Sequence, residues 1–454
     1  NEVLDFHVLD SLRFSLNVEI QMAFASKVAI DAILEEHLSK QEGGAYAGII
    51  EEGTLTDIGV RQKADDNVSQ AEAEDSNLVK LVNMIITDAI KNRASDIHVE
   101  PMEKKLRVRY RIDGVCMEME PPPKRLQGPI LARMKIMSEM DIAEKRKTQD
   151  GRIKMKLTGR EIDLRVSLLP SSHGESIVMR ILDKASAVVD LEKLGFHPAD
   201  YQRFMRIIDK PNGIFLVTGP TGSGKTTTLY AALDKMNQSD TKIITAENPI
   251  EYNFTGMNQC QVNHKIDLDF ARILRAMLRQ APNIILVGEI RDRETADIAI
   301  QAALTGHLVF STLHTNDAPS AITRLVDMGV KPFLVASAVQ AVLAQRLIRR
   351  LCDACKSPVQ PSETELRMIG LRPEDVGGRT TYRHVGCPEC SGKGYRGRLG
   401  IYELIFGNAS TLKLRGEARV SGGMLTLQED GVRKFLDGRT TIEEILRVTH
   451  RDDV

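Results

Sequence analysis

The stretch Gly219-Pro220-Thr221-Gly222-Ser223-Gly224-Lys225-Thr226 constrains this chain more than any other. It closes the apolar run Ile214 to Val217 and opens onto a helix-forming segment that starts at Thr227 and runs to Met236. Strand, glycine-rich loop and helix in that order make a cradle for a phosphate chain. The glycines let backbone N–H groups turn inward, and the helix N-terminus adds its partial positive charge. Lys225 is placed to reach the β- and γ-phosphates, and the Thr226 hydroxyl to meet Mg²⁺. Gly219 to Thr227 is therefore the candidate nucleotide-binding segment. The chain reads as a nucleotide hydrolase, and what remains is the work that hydrolysis drives.

With 454 residues the chain exceeds what one hydrophobic core organises, so several domains are expected. Its 61 basic and 62 acidic residues nearly cancel, which leaves no general attraction to nucleic acid or to a membrane surface. No run approaches the roughly 18 apolar residues of a membrane span. The expectation is a soluble, intracellular protein, with any membrane link coming through partners.

Residues 1–40 read as one strand-like piece, Phe14 to Ile20, and one amphipathic helix, Lys27 to Leu38. They are too few for a core and are expected to be the remnant of an N-terminal domain. Residues 41–75, rich in glycine and then in acidic and alanine residues, read as a flexible linker. From Asn77 to Lys91 apolar residues recur at helical spacing, with Ser76 placed to cap. Leu106 to Ile112 then alternates apolar residues with Arg107, Arg109 and Arg111, and Asp113-Gly114 turns it into Val115 to Met119. The three arginines read as a solvated sheet face. Ile162 to Leu168, with Arg165 on its polar side, and Ile177 to Leu182, with Arg180, are further strands. Residues 76–185 thus form a compact α+β domain, and 186–210 connect it to the P-loop unit, 211–454.

In that unit three more buried strands each end in polar chemistry. Lys242 to Ala246 runs into Glu247-Asn248-Pro249, Ile284 to Gly288 into Glu289-Ile290-Arg291-Asp292, and Leu308 to Thr312 into Leu313-His314-Thr315. Helical stretches lie between them, which implies a parallel sheet wrapped by helices with its ligand site at the carboxyl ends of the strands. A buried strand that stops in a carboxylate is costly unless the acid has work to do. Of Glu247 and Glu289, one would hold the Mg²⁺ shell and the other orient the attacking water; spacing does not say which. His314 is a candidate sensor of the γ-phosphate. Four of the six cysteines form two C-x-x-C pairs, Cys352/Cys355 and Cys387/Cys390, flanked by Gly386, Gly392 and Gly394. This is the pattern of a closed Cys₄ zinc site, structural in role, in an insert spanning 350–395.

From about residue 76 onward the chain resembles the secretion ATPase superfamily, specifically the assembly ATPases of type IV pili and type II secretion. The likeness rests on Ser95-Asp96-Ile97-His98-Val99-Glu100-Pro101, Gln149-Asp150-Gly151-Arg152, Pro170 to Glu175, the P-loop, Glu247 to Tyr252, Leu278-Arg279-Gln280, Val287 to Asp292, Thr305-Gly306-His307 and Ser311 to Asn316. The resemblance implies an α/β fold, a RecA-like P-loop motor domain preceded by a smaller α+β, PAS-like domain. It further implies a homohexameric ring at the inner membrane that hydrolyses ATP with Mg²⁺ and works on a platform protein and its associated assembly proteins. It puts Glu289 at the Walker B position, Glu247 as the catalytic carboxylate of the acidic box, and His307 with His314 in a histidine box. Arg165 and Arg180 match arginines that reach the γ-phosphate, which revises the surface reading of Arg165. Arg275, Arg279 and Arg291 match motor-domain arginines of the site and interface.

The Cys₄ insert resembles that of extension and secretion ATPases, so pilin polymerisation is preferred, with pseudopilus assembly for type II secretion as the alternative. The acidic box departs from the usual Glu-Asp-Pro at Asn248, which leaves Glu247 as the only strand-end acid there. Two readings from other classes are a nucleic-acid translocase, which 4% aromatic residues and the balanced charge disfavour, and a scaffold that binds nucleotide without cutting it.

Overall fold

A computed structural model describes residues 67–157, 160–183, 189–406 and 424–449. The expected N-terminal remnant and the linker up to residue 66 lie outside the described residues. The last part of that linker is not a coil. A helix runs over Asn67–Lys91, so Ser76 sits within it and does not cap it. Gln70 to Glu74 is made of strong helix formers without glycine or proline, which extends the helix beyond its apolar repeat.

Six strands follow: β1 (Ala94–Pro101), β2 (Leu106–Ile112), β3 (Val115–Glu118), β4 (Gln149–Leu157), β5 (Arg160–Ser171) and β6 (Gly174–Asp183). They form one antiparallel sheet in the order β3-β2-β1-β6-β5-β4. Asp113 and Gly114 both take positive φ, as a two-residue hairpin turn requires. Two helices, Asn67–Lys91 and Gln127–Met137, cover one face; Leu81, Ile85 and Ile86 pack with Val99, Val108 and Leu164. The other face is charged. The three arginines of β2 are paired on it, Arg107 and Arg109 with Glu100 and Arg111 with Asp96.

The second sheet contains β7 (Gly213–Thr218), β8 (Ile243–Glu247), β9 (Met257–Gln261), β10 (Ile284–Val287), β11 (Leu308–Leu313) and β12 (Val339–Leu351). A short pair, β13 (Ser357–Val359) and β14 (Thr381–Arg383), lies between the cysteine knuckles, and β15 (Tyr395–Phe406) returns to the sheet edge. The order is β15-β12-β7-β11-β10-β8-β9, parallel throughout except where β15 meets β12. Strands β7, β8, β10 and β11 are buried at every position, the mark of a parallel sheet covered on both faces.

The segment expected to connect the two units is built into the second. Its helix Pro198–Ile208 buries Phe204, Ile207 and Ile208 against Phe215 and Val217 of β7.

Candidate nucleotide-hydrolysis site

Between β7 and the helix Lys225–Met236 the loop turns on three glycines of positive φ, Gly219 (144°), Gly222 (79°) and Gly224 (89°). A Cβ at Gly219 would sit 2.5 Å from the Gln345 carbonyl oxygen, so β12 holds the loop too closely for a side chain. Gly224 gives the helix no side-chain cap, which leaves its first-turn N–H groups to a ligand. The buried Ser223 Oγ has no hydrogen-bond partner, a second polar group suited to phosphate oxygens. Lys225 Nζ donates to the carbonyls of Gly219 (2.7 Å) and Pro220 (3.1 Å). Burial lowers the lysine ammonium to about 8 although the Glu289 carboxylate pulls it upward. Arg346, on β12, adds to the lowering; burial depresses its own guanidinium as well.

Thr226, Glu247 and Glu289 line one cavity of about 100 Å³, together with Glu251, Gly288 and Thr312. Each acid is held by different means. The loop after β10 is fixed on both sides, Gly288 N donating to Ala246 O (2.8 Å) and Thr312 Oγ1 to Gly288 O (2.7 Å), which aims Glu289 at the P-loop. Glu289 then meets a guanidinium and an imidazole: Arg291 Nε lies at 2.5 Å and His314 Nε2 at 3.2 Å. Glu247 ends β8, is buried and meets neutral donors: Thr245 Oγ1 at 2.6 Å, Gln259 Nε2 at 3.0 Å and the Tyr230 hydroxyl. Glu247 is the acid at the end of β8, as expected, and Glu251, farther along the loop and paired with Arg165, also lines the cavity.

The arginines separate. Arg165 on β5 crosses from the first sheet to the second, bonding Glu251 Oε2 and the Ile250 carbonyl at 2.7 Å each. It stands in a cross-strand row, Arg152 opposite Arg165, Arg165 opposite Arg180, Arg180 opposite Asp96 and Asp96 opposite Arg111. Arg180 stays on its own sheet, paired with Asp96 at 3.1 Å and mostly exposed. Arg275 pairs with Glu294 and Arg279 donates to the Arg275 carbonyl, so neither is brought to the cavity within this chain.

The two histidines lie at opposite ends of β11. His314 touches Glu289, whereas His307 is tied to the Ala302 carbonyl at the start of the strand (2.9 Å), about 20 Å away by strand geometry. The residues that sequence reasoning missed, Tyr230, Gln259 and Arg346, carry no motif signal; tertiary packing brings them in.

The four cysteine sulfurs lie within 4.8 Å of one another. Neighbouring pairs stand 3.9, 3.8 and 3.7 Å apart (Cys352–Cys387, Cys355–Cys390, Cys387–Cys390). A tetrahedral ion with sulfurs at about 2.3 Å requires about 3.8 Å between them, so the set fits zinc and is too open for a disulfide. Backbone N–H groups of Cys387 and Gly394 point at Cys390 Sγ; against its burial they hold that thiol down to about 6. The knuckle also docks on the first sheet: Ser391 Oγ lies 3.3 Å from Asn92 Oδ1, and Gly397 N donates to Asp113 Oδ2 (3.0 Å).

A family model described as type II/IV secretion system protein matches residues 71–447. The chain belongs to that family. It is 48% identical to the type IV pilus assembly ATPase PilB of Myxococcus xanthus, over 98% of this chain and 80% of the relative. It is 51% identical to a type II secretion system protein E of Pseudomonas aeruginosa, over 84% of this chain and 77% of the relative. Among solved structures, the pilus retraction motor PilT with bound ADP aligns at a TM-score of 0.54 and 26% identity, covering 81% of this chain and 97% of that one. The ATPase DotB of Legionella pneumophila shares the fold at a TM-score of 0.60 and 19% identity, over 81% and 95% of the two chains. The protein is thus a secretion-superfamily ATPase, with an α/β fold and a four-cysteine cluster able to hold zinc. Among the described residues no helix is long and apolar enough to cross a membrane.

Proposed function

We propose that this ATPase is a hexameric motor at the cytoplasmic side of the inner membrane, and that it powers type IV pilus extension by driving pilin polymerisation through a platform protein. The observation that carries the reading is the single cavity shared by Thr226, Glu247 and Glu289, with Arg165 of the other sheet fastened to its rim. ATP binds with its terminal phosphates on Gly219–Thr227; Thr226 and Glu289 would hold Mg²⁺, which would supply positive charge to the phosphate oxygens. Glu247, free of cationic partners among the described residues, orients the attacking water. Arg165 leaves Glu251 for the developing charge on the γ-phosphate, Arg180 beside it adds a second charge, and His314 follows the state of Glu289. Because Arg165 belongs to the other sheet, each turnover moves one lobe against the other. Arg291, against Glu289, acts within the site, Arg275, Arg279 and His307 serve contacts between protomers, and zinc on the four cysteines would hold the insert folded.

A second reading, pseudopilus assembly for type II secretion, is favoured by the 51% identity to a protein E of that system. The gene is to be tested in strains lacking either the pilus or the secretion ATPase, beside its Lys225→Ala version. Restored pili in the first strain alone support extension. Restored export in the second alone supports secretion, and restoration by Lys225→Ala contradicts both.

A further inference from the structure

Glu247 and the P-loop reach the cavity on different elements, and one side chain joins them. Tyr230 lies five residues after Lys225 on the same helix, about 7.5 Å along its axis. It is buried, and its hydroxyl donates to Glu247 Oε2. Its ring is wedged edge-on against Phe254, with centroids 4.8 Å apart, and against Tyr252 at 6.4 Å. Packing alone would be served by phenylalanine; the hydroxyl, in so apolar a place, is costly unless it has an acceptor. Burial, reinforced by the Glu247 charge, pushes the phenol far above its ordinary range, so the group remains a donor at every working pH.

The opposite oxygen of the acid is held as firmly. Thr245 Oγ1 and Gln259 Nε2 both donate to Glu247 Oε1, and Gln259 is itself fixed by the Phe254 N–H (2.8 Å) and the Tyr252 carbonyl (2.9 Å). Three neutral donors thus fix the plane of the carboxylate without cancelling its charge. Glu289, in contrast, has Arg291 and His314 beside it. Two of the three donors come from the acid's own strand and its neighbour. Only Tyr230 ties it to the helix whose N-terminus receives the phosphate.

We propose that Tyr230 is a positioning residue for hydrolysis: it sets Glu247 at a fixed distance from the phosphate-binding turn, so that phosphate and attacking water are aligned by one rigid helix. The inference rests on reading Glu247 as the acid that orients the water. A misplacement of about 1 Å at such a group costs on the order of 100-fold in rate.

The test uses the whole purified chain with MgATP and four variants, Tyr230→Phe, Thr245→Val, Glu247→Asp and the double Tyr230→Phe/Glu247→Asp. Tyr230→Phe is expected to lower kcat about 10- to 50-fold and to leave KM within about two-fold, since the interaction it removes does not bind substrate. Thr245→Val, which removes one of the two donors on the other oxygen and leaves Gln259, is expected to show the same split at smaller size, and stands in as the test of the acid's alignment if Tyr230→Phe does not fold. In the double variant the tyrosine change costs less than about three-fold more, because an acid already displaced has no alignment left to lose. A Tyr230→Phe kcat within two-fold of the parent, or losses that multiply in the double variant, overturns the positioning role. A Glu247→Asp rate equal to the parent's instead overturns the reading of Glu247 itself.

Discussion

The two sheets treat charge in opposite ways. In the second, the central strands β7, β8, β10 and β11 are buried on both faces, and the charged groups of the site stand at or beyond their carboxyl ends, at Lys225, Glu247, Glu289 and His314. In the first, one face of every strand is polar, and arginines stand opposite one another across the row Arg152, Arg165, Arg180. Like charges set opposite each other on adjacent strands are unfavourable unless acids answer them. Asp96 answers Arg180 and Arg111, and Glu251, in the loop between β8 and β9, answers Arg165. One sheet gathers its acids at the strand ends, whereas the other spreads paired arginines across its face.

That contrast is open to test first at Arg165 and Arg180. Arg165→Ala is expected to lower kcat about 100-fold and Arg180→Ala less than about ten-fold, measured as phosphate release at saturating ATP. Equal losses would break the distinction and mean that the row moves to the phosphate as a unit. A smaller effect concerns the joint between the sheets. Stripping metal with a chelator is expected to lower the thermal midpoint by at least about 5 °C and to free the contacts at Asn92 and Asp113; elemental analysis should find one zinc per chain beforehand. An unchanged midpoint would remove the insert from the joint.

The smallest effect is a pH dependence of nucleotide affinity. With Lys225 near 8, the free chain carries the ammonium below that pH, and affinity there is flat. Above it, binding must take up a proton, and affinity falls toward ten-fold per pH unit. Lys225→Arg should lose this step while keeping the charge. A flat profile up to pH 10 in the parent would contradict the burial of Lys225.

Legibility in the sequence followed the same contrast. The apolar strands announced themselves, and the residues at their ends were found because a polar group breaking a buried run is conspicuous. The first sheet was read less fully. Ala94–Pro101 and Gln149–Leu157 were not read as strands, since Ser95, Asp96 and Gly151 interrupt or open them with turn-forming residues. The 13-residue β12 is not legible as a strand because Leu343, Ala344, Leu347, Ile348 and Leu351 recur at helical spacing. The resemblance pairs His307 with His314, and β11 sets them at its two ends. Tyr230, Gln259 and Arg346 lie in ordinary helical or strand sequence, and only packing discloses them. The fold class and the P-loop were therefore legible, and the supports that aim Glu247 and Glu289 were not.

The central claim is that a terminal phosphate gripped at Lys225 is cut between two acids in one cavity. Phosphate release by the purified chain with MgATP, measured for the parent, Glu247→Gln and Glu289→Gln, tests it most directly. The account predicts turnover in the parent and a loss of about 1,000-fold or more in each variant, with ATP still bound. Parental rates in either variant would contradict it.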